Sequence, residues 1–332
     1  MRRRWEASVA GACRWLAVLA VLVLLGAYAV PALAAEPAPH PDAGATPAVT
    51  ASAPEPGEHA GQAGTIAAEA EEEEPPELPN AIQLLYKSAG EHGRARPAWI
   101  TLLYRFKDVA YALLVAVIII VIVRVGTRKM ALIPSGAQNV VEFFIESFSD
   151  FILSILGPAG RPYVPFLGSL FLYIWFMNLI GLVPLMKSPT SALSTTAALA
   201  ICVFLYVQYI GLVRLGPLKY LKHLAGDPQD AIGWGVAPLM FPLHVIGELA
   251  RPVSLSLRLF GNILGEDVLI GIFAGLGVAV VAFLKLPIGI PMHLPFILLA
   301  MLMSTVQALV FTLLSTVYIM QVLPHDESEA GH

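Results

Sequence analysis

Between about Pro238 and Leu276 the sequence is almost wholly apolar, yet it carries Glu248, Arg251, Arg258, Glu266 and Asp267. Charge inside an apolar span is expensive, so each of these residues calls for a reason. Arg258 is the hardest to explain away. It lies in Ser254-Leu255-Ser256-Leu257-Arg258-Leu259-Phe260-Gly261-Asn262, far from either end of the stretch, where snorkelling to water is difficult. Guanidinium stays protonated at any relevant pH, so the charge is permanent. Ser254 and Asn262 stand at i−4 and i+4 on the same helical face, and Gly261 and Gly265 leave that face thin. A thin polar stripe around a fixed cation suits close approach by an acidic partner. The alternative is a structural arginine paired with Glu248 or Glu266. On a helix those carboxyls fall about 80° off the arginine stripe and roughly 12–15 Å along the axis, which makes direct pairing poor.

Titratable groups lie on both sides of Arg258. Glu266 and Asp267 are on one side, His244 and Glu248 on the other. Carboxyls and imidazoles carry protons and an arginine does not, so two depths of titratable groups parted by a permanent cation describe two half-paths that do not connect. The plainer alternative, open above all for His244, is that the outlying groups sit near headgroups. A second long apolar stretch, about Ile288–Leu323, has Gln307 as its main deep polar residue, with Ser304 and Thr305 beside it. A lone glutamine there is more often a helix–helix hydrogen bond than a proton carrier.

The elements that position these residues are membrane spans. The 332 residues are 57% hydrophobic and 13% charged with mean hydropathy +0.73, which all but excludes a soluble enzyme. Net charge is −4 with no basic stripe, against a nucleic-acid binder. Two cysteines, both in apolar runs, give neither a disulfide framework nor a metal pair, and no cofactor is expected.

Residues 1–34 combine a basic start, a short apolar middle and Ala32-Leu33-Ala34, the pattern of a signal peptide cut after Ala34; a retained extra helix is the alternative. Residues 35–80 hold nine prolines and the run Glu71–Glu74 and read as an exported, acidic, disordered tail. An outer-surface segment over 81–107 follows. The membrane domain spans 108–323: a span at about Val109–Val123, an amphipathic interfacial helix over Pro134–Leu156, and a hairpin of spans at about Val164–Met186 and Leu193–Val213 turning at Lys187. Basic residues at 124–129 and 214–222 place those loops in the cytoplasm and the Lys187 turn outside. Residues 324–332 form a cytoplasmic tail. The two last stretches, at 36–39 residues, would reach roughly 54–58 Å against a hydrocarbon core of about 30 Å. They are expected as a steeply tilted antiparallel pair, with broken or interfacial helices as the alternative. The fold class is thus all-α and polytopic, with about five membrane helices and one interfacial helix.

The Arg258-Leu259-Phe260-Gly261-Asn262 string, with Gln307-Ala308 45 residues beyond Asn262, resembles subunit a of the F-type ATP synthase membrane sector, and Phe176-Met177-Asn178-Leu179-Ile180-Gly181-Leu182-Val183-Pro184 looks like that family's hairpin segment. The resemblance covers about residues 100–323. It implies the non-catalytic stator half of a rotary ion channel in a bacterial inner membrane, N-terminus outside. Its implied partners are a c-subunit ring, b-type peripheral stalk subunits and the remaining ATP synthase subunits, in a lipid bilayer. By that resemblance Arg258 matches the essential arginine facing the ring carboxylate, and Asn262 and Gln307 the polar residues flanking it. Asp267, with Glu266 beside it, matches the outer half-channel acid, and His244 falls where many relatives have the inner half-channel glutamate. Two departures stand out. Ala300 occupies the place where some relatives have a histidine paired with the outer acid, leaving His293 or Glu266 to substitute, and the acidic tail has no counterpart in compact members. Other functions consistent with the residues are a secondary transporter binding an anion at Arg258, disfavoured by the lack of an internal repeat, and an assembly scaffold. No nucleotide-binding loop occurs in the sequence.

Overall fold

The structure is a computed structural model that describes residues 11, 14–21, 80–91, 98–127, 136–226, 230–284 and 291–323. Every regular element among them is helical: α1 (Ala81–Glu91), α2 (Ala98–Arg105), α3 (Lys107–Thr127), α4 (Ala137–Leu156), α5 (Val164–Ile180), α6 (Leu193–Leu215), α7 (Pro217–Leu224), α8 (Ala231–Leu284) and α9 (Leu294–Val322), with short 3-10 turns at Pro158–Tyr163 and Pro189–Ser191. Helices α3, α5, α6, α8 and α9 are long and apolar enough to cross a membrane. The amphipathic α4 is not among them; it packs on α3, α5 and α9 and buries Ile152. The expected cleavage point after Ala34, residues 35–79 and the tail 324–332 lie outside the described residues. Residues 14–21 are helical, with Leu16 and Leu19 buried in the bundle and Trp15 edge-on to Phe166 at 5.0 Å and Tyr206 at 4.9 Å.

Boundaries depart from the sequence expectation in three places. Helix α5 stops at Ile180 rather than Met186. Gly181 closes it by donating its N–H to the Asn178 carbonyl, with the Leu182 N–H donating to the Leu179 carbonyl; Pro184 cannot continue a helix, and Leu185 turns the chain with φ 69°. A side chain at Gly181 would stand 2.7 Å from the Ser188 Cβ, so only glycine allows the turn to fold back this closely. Helix α9 begins at Leu294, with Pro295 in its first turn, rather than near Ile288. Helix α8 is longer than expected, 54 residues running unbroken through Pro238, Pro242 and Pro252. At 1.5 Å per residue it extends about 80 Å, so it cannot stand upright across a core of about 30 Å.

The bundle has two distinct ends. At one, Ala81 donates its N–H to the Leu185 carbonyl at 2.7 Å, Asn80 Oδ1 accepts from the Gln83 N–H at 2.9 Å, and Lys187 lies 4.0 Å from Asp108. At the other, Arg214 donates to the Tyr163 hydroxyl at 3.2 Å, and a side chain on Gly211 would meet both Tyr220 and Val322. We call these the turn end and the basic end. Helices α8 and α9 are antiparallel: Arg251 meets Tyr318, Asn262 meets Gln307, Glu266 meets Ser304 and Phe273 stacks on Phe296, so each step forward along one is a step back along the other.

Candidate functional site

Helix α8 packs on α6, α9, the Pro189–Ser191 turn and α7, and one face beside Arg258 is open. Leu255, Leu259 and Ile263 are buried, while Ser254, Leu257, Arg258, Gly261 and Gly265 are exposed on the opposite side. This division follows from the helical period: apolar residues at i, i+4 and i+8 form the packed stripe. A shallow groove along the open face is lined by Ile246, Leu249, Ala250, Val253, Ser254, Leu257 and Arg258. A side chain added at Gly261 or Gly265 would meet nothing within 4 Å. Arg258 makes no hydrogen bond or ion pair among the described residues. The carboxyls that could have held it are engaged elsewhere: Glu248 binds Arg251 at 2.6 Å, and Glu266 accepts from the Ser304 hydroxyl at 3.4 Å. The structural-arginine alternative therefore has no partner among the described residues.

Next to the arginine face, α8 and α9 are tied by a buried polar seam. Asn262 Nδ2 donates to Gln307 Oε1 at 2.7 Å, the helix–helix bond anticipated for Gln307. Gln307 Nε2 and Glu266 Oε1 are buried without a partner. The seam continues toward the turn end. Ser304 donates to Glu266, its carbonyl accepts from Asn178 Nδ2 at 3.4 Å, Asn178 Oδ1 accepts from Thr190 at 2.7 Å, and Thr190 and Ser188 share a hydroxyl bond at 2.7 Å. A ladder of amide and hydroxyl groups thus joins the turn end to Glu266. The sequence pattern left Thr190 and Ser188 as turn residues and Asn178 as part of a string. An asparagine inside an otherwise apolar span was the one available signal.

Asp267, one residue on, faces a different environment. It lines a cavity of about 200 Å³ with Gly181 to Ser188, Ile270, His293 and Ile297. The cavity brings Asp267 and His293 to one space although they belong to α8 and to the turn before α9. Ala300, two turns into α9, is buried and offers no titratable group.

Toward the basic end Glu248 and Arg251 pair on α8, Gln208 of α6 donates to the second Glu248 oxygen at 3.4 Å, and the Tyr220 hydroxyl of α7 donates to Gln208 Oε1. His244 is separate from this cluster: it is exposed, and its Nδ1 lies 3.0 Å from the carbonyl of Met240 one turn back. Nothing in the sequence pattern pointed to Gln208 or Tyr220. Among the described residues no cluster of metal-ligating side chains occurs.

These features define an all-α polytopic membrane protein whose longest helix presents one unpaired arginine on an open face. The family described as ATP synthase A chain matches residues 109–320. The chain is 50% identical over 254 residues to a protein of Protochlamydia amoebophila (strain UWE25) named ATP synthase subunit a, covering 76% of this chain and 92% of that one. It is 40% identical over 214 residues to the protein of the same name from Moorella thermoacetica, covering 64% and 89%. With the protein of that name from Solidesulfovibrio magneticus it shares 39% over 218 residues, covering 66% and 84%. The chain belongs to the ATP synthase A chain family.

Proposed function

We propose that this chain is the ion-conducting, non-catalytic stator subunit of a rotary ATP synthase, with a c-subunit ring on the open face of α8 and b-type stalk subunits and the remaining synthase subunits as further partners. The observation that carries the reading is Arg258, a permanent cation on an open apolar face with no counter-ion among the described residues. A carboxylate on a passing ring helix supplies that counter-ion. On this reading a proton enters from the turn end near Asp267 and Glu266 and neutralises a ring carboxylate, which then travels through lipid. Nearing Arg258 from the other side, the carboxylate releases its proton past His244 toward the basic end. Arg258 attracts the emptied carboxylate and blocks direct passage between the two half-paths. The Asn262–Gln307 bond holds the polar shoulder beside it.

Purification of the complex in mild detergent is expected to bring down a ring of small two-helix proteolipids with this chain. Gly265→Leu gives the matching functional result. With nothing near that position the subunit accumulates normally, while a bulky side chain on the contact face lowers ATP-driven proton pumping on the order of tenfold. Recovery of the chain with synthase subunits but without a ring sinks the proposal.

The basic residues around α3, α6 and α7 favour an orientation in a bacterial inner membrane with the turn end outside. Protease added to cells with a permeabilised outer layer is expected to trim residues 35–80 and spare 325–332. Protection of the first together with cleavage of the second means the orientation is inverted.

A further inference from the structure

Helix α8 carries two permanent cations, Arg251 and Arg258. They are seven residues apart, which on a helix means about 20° of azimuth and roughly 10 Å along the axis. The backbone thus starts both on one stripe. An arginine two turns from the functional one would offer a moving carboxylate a second resting place of the same chemistry.

The side chains nevertheless end in different places. Arg258 lines the open groove, whereas Arg251 is half-buried in a small cleft with Glu248, Pro252, Leu255, Val207 and Tyr318. Two contacts keep it there. Glu248 Oε1 lies 2.6 Å from Arg251 Nη1, and the guanidinium sits 5.0 Å from the ring centroid of Tyr318 on α9, a cation–π arrangement. Glu248 is itself fixed from behind. Tyr220 donates to Gln208 Oε1, which turns the Gln208 amide so that its Nε2 donates to Glu248 Oε2. Four helices therefore converge to hold one arginine.

We propose that Glu248 and Tyr318 are positioning residues that keep Arg251 off the ring face, with Gln208 and Tyr220 aligning Glu248, so that Arg258 is the single cation the moving carboxylate meets. This rests on the reading of Arg258 as ring-facing. It assigns Glu248 the part of counter-ion rather than proton carrier on the inner path.

The two parts are separable by a second-site test in the whole complex, with ATP-driven proton pumping measured at equal subunit content. Glu248→Gln frees Arg251 and is expected to lower pumping on the order of tenfold, since removing one partner of a close charge pair leaves the other unmatched. Adding Arg251→Gln removes the competing cation and is expected to return pumping to within about threefold of wild type. A proton carrier at Glu248 predicts the opposite: the double variant stays as slow as the single. That result overturns the inference, as does wild-type pumping by Glu248→Gln alone. Should Glu248→Gln fail to assemble, Tyr318→Leu leaves the ion pair intact and loosens Arg251 from the other side. Its pumping defect is then expected to be relieved by Arg251→Gln, and a defect that persists overturns the inference. Normal pumping by Arg258→Ala would instead remove the underlying reading, independently of these variants.

Discussion

Membranes carrying Arg258→Ala are expected to show no coupled proton pumping, a loss on the order of a hundredfold or more, while the complex still assembles. The two halves of this expectation have separate grounds. Assembly survives because Arg258 is exposed and bonds to nothing described in its own chain, so truncation takes no support from the bundle. Coupling is lost because, among the described residues, no other free permanent cation stands on that face: Arg251, the nearest, is held by Glu248 and stacked on Tyr318. Arg258→Lys is expected to fail as well. An ammonium is a compact, strongly hydrated point charge without the planar fork that can bind a carboxylate through two donors. ATP-driven quenching of a pH-sensitive dye in inverted vesicles reads both variants, and normal pumping by Arg258→Ala would sink the mechanism.

The second large effect concerns the outer path. Adjacent helical residues point about 100° apart, so Glu266 and Asp267 cannot share one environment. Glu266 faces the α9 seam and ends the hydroxyl–amide ladder from Ser188, while Asp267 faces the cavity that also contains His293. Each single amide substitution, Glu266→Gln or Asp267→Asn, is expected to slow proton flux about threefold to tenfold, with Asp267→Asn the more costly, because removing a positioned acid–base group removes its share of proton transfer. The double substitution is expected to nearly stop it, since Ala300 supplies no replacement. Flux into vesicles at fixed driving force decides the matter. A double variant conducting at the wild-type rate routes the outer path elsewhere, with His293 the first residue to test.

Much of this was legible from residue order alone, for reasons that can be named. The spans follow from runs of apolar residues that no soluble surface could accommodate, and Arg258 stands out because a charge in such a run has no cheap explanation. Asn262 and Gln307 were legible as a pair only through the resemblance; the antiparallel register that joins them is a property of two helices together. Helix ends were harder. The apolar run continues to Met186, yet α5 stops at Ile180, where Gly181 and Pro184 break the helix and the chain folds back closely on Ser188. Helix α7 was missed although Gly216-Pro217 is a stop followed by a favoured start. The Ser188–Thr190–Asn178–Ser304 ladder and the Tyr220–Gln208–Glu248 chain were invisible for a common reason. Each joins polar groups from three or more segments, and no local spacing encodes which segments will meet.

The prolines of α8 have a mechanical consequence. Pro238, Pro242 and Pro252 lack the N–H that would bond the carbonyls of Trp234, Pro238 and Glu248, and all three lie on the basic-end side of Arg258. From Val253 to Leu284 the helix has no such interruption. One half is therefore a stiff rail and the other a softer joint, with Arg258 just inside the stiff part. On the proposed reading, a load applied at the arginine by a turning rotor would be borne by an unbroken ladder of backbone bonds toward the turn end. Toward the basic end it is absorbed by a segment with fewer of them. Elastic strain would then collect around His244 and Glu248, while the spacing between Arg258 and the Asn262–Gln307 shoulder stays constant through the cycle.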